Sequence, residues 1–120
     1  MKSKAWMTGL KHWRWMPGML DAETGLRVVK AGTDKDPRVG LGSLNDFILY
    51  YPDMLKGHYP DLTDPATLGC ILALVREATD DRRIHCRVRA NVYRVYSGVS
   101  PVGRWMESEA EALLLALEAA

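Results

Sequence analysis

The stretch Tyr59–Ala78, YPDLTDPATLGCILALVREA, contains the clearest secondary-structure signal in the chain and decides the fold class around it. Asp64 is a favoured N-cap residue, because its carboxylate can accept hydrogen bonds from the unpaired amides of a first helical turn. Pro65 then occupies the first helical position, where a missing N–H costs nothing. The apolar residues that follow repeat at helical spacing: Leu68, Ile71, Leu72 and Val75. The stretch therefore predicts a helix that begins at residue 65 and ends near residue 79.

The residues before this helix carry strand and loop patterns. Trp13 and Trp15 alternate with polar neighbours, and Leu26–Val29 is rich in β-branched residues, so residues 12–31 predict a two-stranded antiparallel unit. Residues 32–43 and 52–63 have the composition of loops. Residues 43–51 fit either a short helix or a strand over Phe47–Tyr51, because a short apolar run does not distinguish the two.

The residues after the helix predict a hairpin and a second helix. Ile84–Arg89 alternates apolar and polar side chains, and Val92–Tyr96 forms its partner strand if Ala90-Asn91 is a tight turn. This register places Arg87 opposite Arg94. Residues 97–103 are predicted as a loop. Ser108 and Glu111 match a capping box, which begins a helix with Ala110, Leu113, Leu114 and Leu117 as its core stripe.

These elements predict an α+β fold in the order β-β-α-β-β-α. Its expected architecture is an antiparallel sheet of about four strands with the two main helices packed on one face. A length of 120 residues is expected to form one domain over 1–120. Residues 1–11 show no periodic pattern and are expected to be a flexible start.

Composition narrows the class of protein. A hydrophobic content of 48% and a charged content of 26% are ordinary for a globular chain, and the net charge of +1 provides no long-range field. The N-terminal residues lack the apolar core of a signal peptide, and no apolar run approaches the roughly 20 residues of a membrane span. Two cysteines do not make a disulfide framework. We therefore expect a cytoplasmic protein without a membrane partner.

The motifs of common cofactor, metal and catalytic sites do not fit this sequence. Gly40 and Gly42 offer a G-x-G, but no preceding strand and no third glycine complete a dinucleotide fingerprint. The histidines and cysteines lack metal-ligand spacing. Nucleophilic catalysis needs a Ser or Cys with a base in reach, and the three histidines lie in separate elements, where only the fold could bring one beside a nucleophile. We expect no cofactor, no metal ion and no catalytic residue, and hence a protein that is not an enzyme.

Arginine is concentrated in the predicted hairpin. Residues 82–106 contain six arginines and no acidic residue. If the hairpin register holds, one face of its strands carries both cationic and aromatic side chains. Such a face is either solvated, with local pairing, or it binds an anionic partner. The candidate partner- or nucleic-acid-binding residues are Arg82, Arg83, His85, Arg87, Arg89, Arg94 and Tyr96.

The motifs WMPGM (Trp15–Met19), PDLTDPATLGCILALVREA (Pro60–Ala78) and EAEALLLALEAA (Glu109–Ala120) give the chain a resemblance to a known group. It resembles small uncharacterised proteins of tailed phages and prophages, closely over its second half. The resemblance implies a phage accessory protein in the cytoplasm of a host cell. It carries over no catalytic residues.

A phage accessory protein without a catalytic constellation is expected to act by protein binding, with an inhibitor of a host defence complex, similar to an anti-CRISPR protein, as one form. Its partner would be a host protein or protein complex. Two alternatives stay open: a small nucleic-acid-binding module that uses the arginine-rich strands, and a virion or assembly protein. The expected oligomeric state is monomer or homodimer.

Overall fold

Two three-stranded antiparallel sheets form the β-structure of the described chain. The computed structural model describes residues 4–120, with side chains from Trp6 onward. The elements, in chain order, are α1 (Lys4–Thr8), β1 (Val28–Lys30), β2 (Val39–Ser43), β3 (Asp46–Tyr50), a 3-10 turn (Pro52–Leu55), α2 (Pro65–Thr79), β4 (Ile84–Arg89), β5 (Val92–Ser97), β6 (Ser100–Met106) and α3 (Glu109–Ala119). The sheets have strand orders β1-β2-β3 and β4-β5-β6. The fold is α+β, as predicted.

The predicted single sheet of about four strands and the order β-β-α-β-β-α were wrong. Trp13 and Trp15 lie in irregular backbone, and the expected pairing of residues 12–31 is reduced to one bridge, Leu20 with Arg27, and a few backbone hydrogen bonds beside it. Two strands were hidden in segments predicted as loops, because glycines interrupt β2 and a proline and a glycine interrupt β6. Of the two structures open for residues 43–51, the strand is present as β3. Since neither sheet formed by residues 4–120 has four strands, the two main helices do not share a face of such a sheet.

The chain divides into two compact units. One contains residues 14–70, and the other contains Ile71–Ala120 together with the N-terminal residues through Trp13. The single domain predicted for residues 1–120 stays a prediction. The flexible start predicted for residues 1–11 lies in part, at residues 1–3, outside the described residues, and Lys4–Thr8 form the short helix α1.

In the unit of residues 14–70, the first sheet contributes buried Val28, Val39 and Leu41 to the core. Gly40 and Gly42 lie beside the Phe47 side chain, which crosses from the neighbouring strand. A Cβ atom on Gly42, whose φ is 143°, would lie 2.5 Å from the Asp46 carbonyl oxygen. Glycine is therefore required there by both the backbone and the close approach of β3.

Helix α2 begins as predicted. The Asp64 carboxylate accepts a hydrogen bond from the Thr67 amide at 3.0 Å and from the Arg27 guanidinium at 2.9 Å. The most buried side chains of α2 are Thr67, Ile71, Leu74 and Val75, whereas the predicted inward residues Leu68 and Leu72 are half-buried. The buried stripe of α2 is rotated from the predicted one because Thr67 can be buried. Its hydroxyl donates a hydrogen bond to Asp64 and accepts one from the Leu20 amide.

In the second unit, α3 packs across β5 and β6. Ser108 caps α3 by accepting a hydrogen bond from the Glu111 amide, and the predicted core stripe is buried. Ile84 and Val95 supply the buried side of the second sheet. Because side chains alternate along a strand, His85, Arg87, Arg94 and Tyr96 lie on the other side.

Candidate functional site

The candidate site is built on the β4–β5 hairpin. Arg87 is directly opposite Arg94, and His85 is directly opposite Tyr96, so the predicted register is confirmed. The hairpin closes through Ala90 and Asn91, both with positive φ (50° and 65°), the geometry of a type I′ turn. The twist of that turn matches the twist of the strands, which sets the register that brings these side chains together.

Stacking on Tyr96 organises the centre of the site. The guanidinium carbon of Arg87 lies 4.4 Å from the centroid of the Tyr96 ring, and the guanidinium carbon of Arg94 lies 5.8 Å from it. The His85 ring is stacked beside Tyr96, with centroids 6.0 Å apart and an interplanar angle of 22°. The negative face of an aromatic ring attracts a cation, so Tyr96 offsets part of the repulsion between the facing arginines.

Trp105 extends the aromatic surface from the third strand. The strand β6 has a bulge opposite Arg94. Tyr93 pairs with Met106 and Val95 pairs with Val102, so residues 103–105 of β6 face the single residue Arg94. Trp105 lies edge-on to Tyr96, with ring centroids 6.4 Å apart, and its ring centroid is 5.7 Å from the guanidinium carbon of Arg94. We name the set His85, Arg87, Arg89, Arg94, Tyr96 and Trp105 the arginine–aromatic face.

Trp105 was missed as a site residue by the sequence analysis. The segment Ser97–Gly103 was predicted to be a loop because Gly98, Pro101 and Gly103 suggest one. Pro101 is tolerated because β6 is an edge strand, and Gly103, with a φ of 95°, lies in the bulge. The alternation of Pro101, Gly103 and Trp105 with Val102 and Met106 was the signal that could have identified this strand.

Hydrogen bonds hold the two central arginines in place. Arg87 Nε donates to His85 Nε2 at 2.9 Å, and Arg94 Nε donates to the Gly103 carbonyl at 2.8 Å. His85 Nδ1 lies 2.8 Å from the Arg83 carbonyl oxygen, which can only accept. The hydrogen of neutral His85 is therefore on Nδ1, which leaves Nε2 to accept from Arg87. Arg87 Nη2 also donates to the Gly98 carbonyl at 3.4 Å, and because a guanidinium has five donors each arginine keeps further terminal N–H groups for another acceptor.

The remaining predicted site residues are placed less centrally. Arg89 ends β4 next to the hairpin turn and is exposed. Arg82 and Arg83 precede β4, and the Arg83 side chain pairs with Asp81, whose Oδ1 lies 3.2 Å from Arg83 Nε. A hydrogen bond from the Ser97 hydroxyl, followed by those from Arg83, lowers the pKa of Asp81 to about 2. Arg83 thus supports the hairpin, and Arg82 does not join the stack.

Charge on the arginine–aromatic face is uncompensated. Arg87, Arg89 and Arg94 form no ion pair with any residue of the described chain. The sequence offers them no local acid, since residues 82–106 contain none. A guanidinium that is already held in place loses little conformational entropy when it pairs with an anion.

Outside this face, the described residues contain a buried aspartate–histidine pair and an apolar groove. Buried Asp21 accepts hydrogen bonds from Thr24 Oγ1 and from His58 Nδ1, which lies 2.9 Å from Asp21 Oδ2. The pair joins the segment at Asp21 to the segment at His58, 37 residues later in the chain. A groove of about 380 Å³ between β6 and α3 is lined almost entirely by apolar groups: Val102, Gly103, Arg104, Met106, Ala112, Leu115, Ala116 and Ala119.

Within the described residues, no three His, Cys, Asp or Glu side chains are close enough to hold a metal ion. None of the described helices has the length and apolarity needed to cross a membrane. No family model, curated protein or solved structure matches the chain.

Proposed function

We propose that the protein acts by binding, and that the arginine–aromatic face receives single-stranded nucleic acid without strong sequence preference. The observation that carries this proposal is the pair Arg87 and Arg94, which are stacked on Tyr96 and Trp105 without an acidic partner in the described chain. Single-stranded nucleic acid offers both phosphates for guanidinium groups and bases for stacking.

Phosphate recognition would use the terminal N–H groups of the arginines. The Nε atoms of Arg87 and Arg94 are engaged by His85 and the Gly103 carbonyl, so the planes of both guanidinium groups have fixed orientations. A fixed guanidinium can bind a phosphate through two parallel hydrogen bonds. Arg89, at the exposed end of β4, would add a third contact.

Base recognition would use the planar groups of the same face. Arg87 covers Tyr96, and Trp105 meets Tyr96 edge-on, so the face presents guanidinium and indole planes to a base. Bases stack on both kinds of plane, at about 1–3 kcal/mol per base for aromatic platforms. Stacking does not distinguish the bases strongly, so we expect little sequence preference.

The distribution of charge determines how strongly the protein is expected to bind nucleic acid. A net charge of +1 gives no long-range attraction to a polyanion, so affinity must come from the local face. With three arginines on phosphates, the affinity should fall with salt with a log–log slope of about −2, at roughly 0.7 per phosphate on a single strand.

A second candidate partner is the acidic surface of a host protein. The near-neutral net charge favours it, because a protein surface needs only local complementarity. This candidate fits the resemblance to phage proteins and includes an inhibitor of a host defence complex, or a role in virion assembly. The same arginines would then pair with carboxylates instead of phosphates.

Fluorescence anisotropy with labelled oligonucleotides separates these functions. The proposal expects binding to single-stranded DNA or RNA at low salt, weaker binding to a duplex of equal length, and poor competition by polyglutamate. Equal competition by polyglutamate would favour an acidic protein surface. Absence of any oligonucleotide binding at low salt would overturn the nucleic-acid proposal.

A further inference from the structure

The four edge strands of the described sheets differ in how they are protected against pairing with another strand. Unprotected edges present free backbone N–H and C=O groups, which natural proteins block with charges, proline or bulges. β1 is three residues long, has an irregular register and carries Lys30. β6 carries Pro101 and the bulge at residues 103–105. β4 carries His85, Arg87 and Arg89, which would repel a second copy of the strand.

β3 has neither a proline nor a bulge, and its one charged residue is Asp46, at its first position. Asp46–Tyr50, with the sequence DFILY, contains no lysine, arginine or proline, and it pairs with β2 through five consecutive residues without a bulge. In an antiparallel pair alternate residues bond to the neighbour, so the others direct their backbone groups outward. The outer edge of β3 is therefore a regular row of donors and acceptors.

Apolar side chains surround this open edge. Ile48 is 58% exposed and Leu44, in the β2–β3 turn, is 79% exposed, although both are strongly apolar. Five large apolar residues lie exposed within eleven positions: Leu44, Phe47, Ile48, Tyr51 and Met54. Phe47 and Ile48 are consecutive in β3 and project from opposite faces, so exposed apolar surface flanks the edge on both sides, where a strand added along it would meet it.

We propose that β3 pairs antiparallel with β3 of a second copy of this chain and forms a homodimer. A two-fold axis at Ile48 would place Phe47 opposite Leu49 of the other copy and Asp46 opposite Tyr50. This register joins apolar to apolar side chains and brings no like charges together. A two-fold contact must be complementary to itself, and β3 meets that condition in the one register that centres its apolar residues.

A second copy of this chain is a sufficient partner, because two β3 strands together supply everything that the pairing needs. The backbone edge would supply the hydrogen bonds, and the exposed apolar residues would supply the buried surface. The β1-β2-β3 sheets of the two copies would join into one six-stranded sheet. A strand from a different protein would need a matching alternation of side chains, whereas a second β3 provides that match by symmetry.

Sedimentation equilibrium over about 1–200 µM tests the proposal, a range that covers the micromolar affinities of modest interfaces. The 13.5 kDa chain is expected to show twice its mass as concentration rises. Ile48→Lys should abolish the increase, because the two introduced charges would meet at the axis. Val99→Lys, on an exposed turn of the other unit, is the matched control and should leave it unchanged.

A second measurement fixes the register. Ile48→Cys is expected to form a disulfide-linked dimer under mild oxidation, whereas Val99→Cys should not. Circular dichroism of each variant confirms that the fold is kept. A monomer at every concentration would overturn self-pairing and leave the patch to a different protein. A dimer that survives Ile48→Lys in the folded protein would also overturn it.

Discussion

The guanidinium carbon of Arg87 lies 4.4 Å from the centroid of the Tyr96 ring on the neighbouring strand, while Arg87 also faces Arg94 directly. Two facing arginines would destabilise a plain strand pair. The Tyr96 ring attracts both cations, and His85 accepts a hydrogen bond from Arg87. The hairpin therefore tolerates a concentration of positive charge on one face.

A double-mutant cycle should measure this attraction. Combining Arg87→Gln with Tyr96→Leu is expected to show a coupling of about 0.5–1 kcal/mol in urea unfolding, the size of an exposed cation–π contact. The pair Arg82 and Tyr96, changed in the same way, is the control, because Arg82 does not join the stack. Equal coupling in both cycles would contradict the stacked geometry.

Stability should fall in acid through Asp64. Hydrogen bonding from Arg27, with help from Thr67, lowers the pKa of Asp64 to about 2, below the ordinary value near 3.9. The ionised carboxylate therefore stabilises the fold fully above about pH 4, and this contribution is lost as the pH falls through about 2. Asp64→Asn should lower the melting temperature at pH 7 and flatten its decline between pH 4 and pH 2.

The control for Asp64 is Asp34→Asn, at an exposed carboxylate without a hydrogen bond or ion pair in the described chain. It should change neither the melting temperature nor its dependence on pH. If Asp64→Asn melts with the same acid profile as the unchanged protein, the cap and the pairing with Arg27 do not contribute as described.

Both thiols should react slowly in the folded protein. Burial raises the pKa of the Cys86 thiol to about 11, with Glu109 adding to the effect, and burial also raises the pKa of Cys70. Since the thiolate is the nucleophile, a disulfide reagent at pH 8 should modify both cysteines far more slowly than in urea, with Cys86 slower than Cys70. The single variants Cys70→Ala and Cys86→Ala assign the two rates, and a fast Cys86 would contradict its burial.

The turns of the second sheet should respond in opposite directions to exchange of Gly and Ala. Ala90 has a φ of 50°, so Ala90→Gly should raise the free energy of unfolding by up to about 1 kcal/mol by removing left-handed strain. Gly98 has a φ of 60°, so Gly98→Ala should lower it by a similar amount. Urea unfolding measures both, and a loss on Ala90→Gly would contradict the turn geometry.

The elements with local signals could be predicted from the sequence. Asp64 and Pro65 define the start of α2, Ser108 defines the start of α3, and the alternation of Ile84–Arg89 defines the facing arginines. In each case a hydrogen bond or a side-chain period acts within a few residues. Such signals do not depend on the rest of the fold, which is why they were correct.

The elements that depend on distant partners could not be predicted. β2 contains two glycines because β3 and the Phe47 ring approach closely, and β6 contains Pro101 because it is an edge. Glycine and proline are typical of loops, and only the neighbouring strand shows why they are tolerated in β2 and β6. The contribution of Trp105 to the candidate site was missed for the same reason, since only the bulge in β6 directs it towards Tyr96.

The most direct test of the central claim is the salt dependence of binding to a labelled single strand, measured by fluorescence anisotropy. The unchanged protein should give a log–log slope of about −2. The triple variant Arg87→Gln, Arg89→Gln and Arg94→Gln should lose binding. The control Lys11→Gln, Lys35→Gln and Lys56→Gln, which removes the same charge from exposed positions elsewhere, should keep both affinity and slope. Equal loss in the two triple variants, or no binding by the unchanged protein, would contradict the claim.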